Sequence, residues 1–201
     1  DINDLLKETI AKGSNNEGKS RALWLAHNLG MLSLESLNQA LASHEPSIRE
    51  QAVQILASHT KYDQAKSALN KLAEDPSARV RYYAAIALGN INTNEAVQAL
   101  AKIAAKDGSD KWTRAAVLSG LSGRSQEFIT AFAGMKSAEP KAYAAVMQDL
   151  GRLLGHGGTI AEASDFFHRL VTPDAVDEWK ISAMLGLSEA LNGRKQELKP
   201  N

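Results

Sequence analysis

The stretch DPSARVRYYAAIALGNI, residues 75–91, is echoed elsewhere in the chain at nearly constant intervals, and that echo restricts the possible folds more than any other feature. Within it the apolar residues Val80, Tyr83, Ala84, Ala87, Leu88 and Ile91 alternate steps of three and one. Such steps mark one stripe of a helix rather than the alternation of a strand. Asp75 or Ser77 is placed to cap this helix, and Pro76 stands where a missing N–H costs nothing. Laying Leu88 on the earlier Leu56 also lays Arg81 on Arg49 and Ala84 on Ala52. Laying Leu88 on the later Leu121 brings Arg81 onto Arg114, and Lys180 with Leu187 repeats the pair near the end. Weaker copies lie at 21–30 (RALWLAHNLG) and 142–151 (AYAAVMQDLG).

Between these helices run others of similar length, among them LESLNQALAS, YDQAKSALNKLAE, NEAVQALAKIAAK, SQEFITAFAGMK and TIAEASDFFHRLV, with NDLLKETIAK ahead of them all. The connections SHEPS, EDPSA, KDGSD, SAEPK and VTPDAV hold the Pro, Gly, Asp and Ser that stop one helix and start the next. The pattern predicts an all-α fold, a right-handed α-solenoid of about six antiparallel helix pairs near 2–32, 33–59, 62–91, 94–123, 125–155 and 159–192. These form one repeat domain over 1–194, with 195–201 as a polar tail. The chain opens on Asp1 and closes on ELKPN, and we read it as a piece of a longer protein.

A second helix that opens D-P-x-x-R-x-x-A-A-x-A-L-G resembles a HEAT repeat, related to armadillo and phycobilisome-lyase-type repeats. DPSARVRYYAAIALG (75–89) carries the pattern well, while 45–57 (EPSIREQAVQILA) and 109–121 (SDKWTRAAVLSGL) carry it loosely. RALWLAHNLGML, KWTRAAVLSGL, LGRLLGHGGTIAEASDFFHRL and EWKISAMLGLSEAL, in that order, resemble the HEAT segment of large bacterial membrane-bound dehydrogenases. That resemblance implies a sugar-dehydrogenase-like β-propeller before the segment and a haem-binding cytochrome c domain after it. It also implies a periplasmic or cell-surface location. The redox groups would lie outside these residues.

The composition narrows the chemistry. Lys+Arg and Asp+Glu balance at 23 each, so no overall field favours nucleic acid or an anionic membrane. With no cysteine, the chain has no disulfide, thiolate metal site, cysteine nucleophile or C-x-x-C-H haem attachment. No apolar run approaches the ~20 residues that span a bilayer, so direct membrane insertion is not expected.

The candidate functional residues are Arg49, Arg81, Arg114 and Lys180, which recur at one helical position, and Trp112 and Trp179 beside them. The basic row reads either as a ladder for a partner or as inter-repeat salt bridges to acids such as Asp75, Glu45 or Asp110, the use HEAT repeats commonly make of their Asp and Arg. The tryptophans are expected to fill space between pairs, and otherwise to anchor a partner. Tyr82 or Tyr83 points inward, and Phe167 rather than Phe166 is expected inside. In GHGGT (155–159), Gly155 or Gly157 is expected to supply a left-handed helix end, and Thr159 with Glu162 a capping box. That segment lacks the strand and the Lys-Ser/Thr of a phosphate loop. His27, His44, His59, His156 and His168 show no H-E-x-x-H spacing, and no G-x-S-x-G occurs, so neither a metal centre nor a catalytic serine is expected. No cofactor is expected.

A stack of helix pairs offers a long concave surface lined by second helices. The expected function is a non-catalytic scaffold that binds another protein or the flanking domains of its own polypeptide. One alternative is nucleic-acid binding, as in HEAT-like DNA glycosylases, though Glu50, Asp149, Glu178 and Glu189 on the second helices oppose it. A remoter one is a chromophore lyase, which would need a pocket the sequence does not show.

Overall fold

The computed structural model describes residues 1–135, 139–171 and 178–194. Among them are twelve α-helices and no strand. The odd-numbered helices are the first members of successive hairpins and the even-numbered ones the second. They run α1 (Ile2–Lys12), α2 (Asn16–Asn28), α3 (Leu34–Leu41), α4 (Pro46–Leu56), α5 (Asp63–Leu72), α6 (Ala78–Leu88), α7 (Asn94–Asp107), α8 (Lys111–Ser119), α9 (Ser125–Ala133), α10 (Pro140–Gly157), α11 (Ile160–Leu170) and α12 (Glu178–Arg194). The packing divides into two units, Asp1–Asn92 and Thr93–Asn201.

In the first unit α4 packs on both α2 and α6, and each of α4 and α6 also packs on its own hairpin partner, α3 and α5. The residues that the repeat aligns are the ones that become dry. Ala52 and Ala84 have no exposure, and Leu56 and Leu88 are buried with them beside Val53 and Val80. Each hairpin turns over its apolar stripe to a neighbour because a single pair has nothing of its own to cover it.

Local chemistry sets the helix starts. The Asp1 side chain accepts from the Asp4 N–H at 2.9 Å, and Asn15 and Ser33 cap α2 and α3 in the same way. α4 begins on Pro46, where no N–H is needed. At α6 the carboxylate of Asp75 accepts from the Ser77 N–H at 2.8 Å, and Ser77 is the N-cap residue without a side-chain cap bond of its own.

In the second unit α10 packs on α7, α8 and α12, and α11 packs on α9, α10 and α12. Its core is larger in side chain, with Phe128, Phe132, Met147, Leu150 and Phe166 buried. Phe132 stacks on Tyr143 at 4.4 Å between ring centroids, and the edge of Trp179 meets Tyr143 at 5.7 Å.

The α10–α12 contact is made by absence of side chain. A Cβ on Gly151 would lie 2.4 Å from the Ala183 carbonyl oxygen, and one on Gly155 would lie 2.4 Å from the Ala190 Cβ. From the other side, a Cβ on Gly186 would meet the Gln148 carbonyl oxygen at 2.0 Å. Two helix backbones therefore touch along a line of small residues. The left-handed end expected within GHGGT does not form, which corrects that expectation. α10 runs through both Gly155 and Gly157, and only Gly30 and Gly123 have positive φ among the described residues. Gly155 is needed for close approach, not for a left-handed turn. The helix instead ends at Gly158 in extended backbone, and the Thr159–Glu162 capping box then opens α11.

Candidate functional site

The basic residues of the repeat share a local device. The Nη1 of Arg49 donates to the carbonyls of Ser43 and His44, at 2.8 and 3.1 Å. Arg81 donates likewise to Asp75 and Pro76, at 2.5 and 3.0 Å, and Arg114 to Gly108 and Ser109, at 2.8 and 3.0 Å. In each case the acceptors lie six and five residues back, in the connection between the two helices of the hairpin. The guanidinium satisfies carbonyls that the preceding helix end leaves open. A planar fork with five donors suits this better than a lysine would.

The remaining donors of the fork reach a neighbour. Arg49 Nε and Nη2 engage both carboxylate oxygens of Asp75 at 2.8 Å, a bidentate pair with both side chains buried, joining α4 to the connection ahead of α6. Burial pushes the Asp75 carboxyl up. The bonds from Arg49 and from the Ser77 N–H, with the charges of Arg49 and Arg81, outweigh it and hold the group below its ordinary range. Arg114 Nε donates to Asp149 on α10 at 2.7 Å, and Arg152 joins Asp149 to Glu189 on α12 with bonds of 2.8 Å. Asp110 has a different role from that of an arginine partner. It caps α8 by accepting from the Thr113 N–H, and that bond keeps its carboxyl below the usual range.

Arg49, Arg81 and Lys180 are buried, and Arg114 is half-buried. The two tryptophans part company. Trp112 is 64% exposed, with Lys111 Nζ 5.1 Å from its ring centroid, so it fills no gap between pairs. Trp179 is half-buried against Tyr143, with Lys180 Nζ 5.8 Å from its ring. Register explains the difference. Trp112 stands two places before the basic position, like the exposed Ser47 and Arg79. Trp179 stands one place before it, like the buried Ile48, Val80 and Thr113. Tyr82 and Tyr83 are both half-buried, meeting edge to face at 5.3 Å.

The structure also gathers groups that the sequence leaves apart. His27 and His59 stand 5.6 Å apart between ring centroids, flanked by Trp24 and Tyr62. No group of three or more His, Asp or Glu able to hold a metal occurs among the described residues. A cavity of about 360 Å³ beside His59 and Tyr62 is lined mainly by Leu32, Leu34, Leu37 and Leu56. Beside them the Ser58 hydroxyl lies 2.9 Å from His59 Nδ1, and it donates to the Ile55 carbonyl at 2.7 Å.

Twelve helices among the described residues, in repeated pairs of which three have arginine-held turns, define an all-α solenoid-class protein with a HEAT-like repeat fold. Residues 34–122 match the family model for HEAT repeats. Comparison with curated proteins finds no match. HEAT repeats commonly serve as protein-interaction scaffolds, and their fold is typically non-catalytic. No described helix is long and apolar enough to cross a membrane.

Proposed function

We propose that the chain is a non-catalytic scaffold that docks another protein on the second unit through Trp112, with Lys111 beside it and the Arg114–Asp149–Arg152–Glu189 ion pairs along α8, α10 and α12. The observation that carries this reading is the 64% exposure of Trp112 on a well-formed helix. A large indole left in water next to a cation is the kind of anchor on which interface energy concentrates. Arg49, Arg81 and Lys180 serve the fold, since buried groups offer nothing to a partner's surface.

The partner is a protein or a flanking domain of the same polypeptide. The version in which the segment holds a dehydrogenase propeller and a cytochrome at a fixed separation is supported by sequence likeness alone. The test places a photo-crosslinking amino acid at position 112 and, as a reference, at position 67 on α5, then identifies captured proteins in the native host. A protein captured only from position 112, whose binding weakens about tenfold or more with Trp112→Ala, supports the reading. Equal capture at both positions overturns it. Duplex DNA titrated at low salt is expected to show no binding at micromolar protein, and tight salt-sensitive binding would replace the scaffold with a nucleic-acid reader.

A further inference from the structure

The first unit brings together two histidines from different hairpins. His27 stands in the last turn of α2, and His59 closes the short 3₁₀ turn Ala57–His59 that follows α4. Their ring centres lie 5.6 Å apart with the planes inclined at 59°, and both residues are half-buried.

Hydrogen bonds fix the state of one ring. His59 Nδ1 lies 3.0 Å from the Ile55 carbonyl oxygen, which can only accept, so Nδ1 carries the hydrogen. The neutral ring then keeps its lone pair on Nε2. Ser58 is consistent with this, because its hydroxyl donates to the same carbonyl at 2.7 Å and can accept from Nδ1 at 2.9 Å. An imidazole whose other nitrogen donates to a backbone carbonyl has the form that metal ligands take. The His27 ring makes no hydrogen bond among the described residues and meets Trp24 edge to face at 5.8 Å, so its own lone pair is open.

The separation suits a shared ion. A metal about 2.0–2.1 Å from one nitrogen of each ring stands about 3.2 Å from each ring centre, which sets two such rings about 5–6 Å apart. Among the described residues no carboxylate joins the pair to make a larger ligand group. Mg²⁺ and Ca²⁺, which call for oxygen, are therefore unsuited. Lys61, with Nζ 5.0 Å from the centre of the Tyr62 ring that stacks on His59, adds no attraction for a cation. Two imidazole lone pairs remain, the donors that suit Zn²⁺, Ni²⁺ and Cu²⁺.

We propose that His27 and His59 together bind one divalent transition-metal ion, with water at its remaining positions, and so tie the end of α2 to the connection after α4. Spacing along a single helix does not reveal such a pair, because its members come from separate hairpins. With half the ligands of a structural zinc site, the affinity is weaker, a Kd of about 1–200 μM. The site lies in the first unit and uses none of the residues of the Trp112 reading, so either can fail without the other.

Calorimetric titration of the whole chain with ZnCl₂, in a buffer that does not chelate, is expected to show one ion bound per chain in that range. His27→Ala and His59→Ala each weaken it about tenfold or more, while His168→Ala, at an exposed histidine of α11, leaves it unchanged. His27→Ala removes no hydrogen bond, so helical circular dichroism is retained and the loss is one of ligation. CuCl₂ locates the ion. With Trp112→Phe and Trp179→Phe, Trp24 is the one indole left, and Cu²⁺ on the adjacent His27 quenches its fluorescence whereas MgCl₂ does not. Neither heat nor quenching up to about 1 mM ion overturns the proposal. So does binding that His168→Ala weakens as much as His27→Ala, or binding that survives the loss of both His27 and His59, which marks adventitious contact with surface groups.

Discussion

The α4–α6 contact in the first unit and the α10–α12 contact in the second perform the same operation with opposite chemistry. In the first, a buried bidentate ion pair, Arg49 with Asp75, fixes one second helix to the start of the next, and Val53 and Ala52 pack beneath it. In the second, glycines let backbones touch, and the ion pairs of Arg152 with Asp149 and Glu189 are more exposed. The first solution is directional and leaves a large cost if one partner is lost. The second is a matter of shape, with each helix shaved to admit the other, and it fails when volume is added. A repeat fold therefore fixes where neighbours touch without fixing how.

That contrast can be broken experimentally, and the largest effect belongs to the ion pair. Asp75→Ala leaves the Arg49 guanidinium buried without its anion and should cost about 3–5 kcal/mol in urea unfolding. Arg49→Met combined with Asp75→Leu should recover only part of that loss, because the Ser43 and His44 carbonyls and the Ser77 N–H lose their partners too. Hydrogen exchange should rise first in α4 and α6. If the single substitution costs less than about 1 kcal/mol, the pair is not what holds this contact.

Next comes Gly186→Val, whose Cβ has the Gln148 carbonyl oxygen 2.0 Å away. About 2–3 kcal/mol of destabilisation is expected, with protection lost in α10 and α12 and retained in α4 and α6. An unchanged melting temperature would show that the helices separate at no cost. Thr159→Ala sharpens the picture of the second unit by removing the cap of α11, at about 1 kcal/mol.

The smallest effect is an acid dependence. Asp75 has a folded pKa below its unfolded value, which is about 4. Its contribution is complete above that pH and disappears as the pH falls through the folded value. Unfolding free energy measured from about pH 6 down to about pH 2.5 should therefore fall more steeply for the native chain than for Asp75→Asn. Parallel curves would remove Asp75 from the acid response.

The helices are legible in the sequence because apolar steps of three and one, with Pro, Gly and Asp between them, have no other solution in so regular a series. The phase of a single helix is harder. Phe167 is expected inside, yet Phe166 is buried and Phe167 is 42% exposed. Either phenylalanine has an apolar residue four places on, Leu170 or Val171, so the sequence offers two equal stripes. Contact with α9, α10 and α12 selects the one through Phe166. Trp112 is readable in principle, because comparison with Ser47 and Arg79 puts its position in solvent. Gly155 suggests a helix end because glycine weakens helices, whereas backbone contact with α12 needs it inside one. The His27–His59 proximity has no local signal, since the two stand on different hairpins far apart along the chain.

The arginine bonds to carbonyls six and five residues back act as a ruler. Arg49, Arg81 and Arg114 each set the span of one bend by the reach of a side chain. Adding or deleting a residue between the guanidinium and its acceptors would put the carbonyls out of step. Length variation among descendants of this chain should therefore collect at the joints without such a gauge, and the near-constant interval from Arg49 to Arg81 to Arg114 should persist.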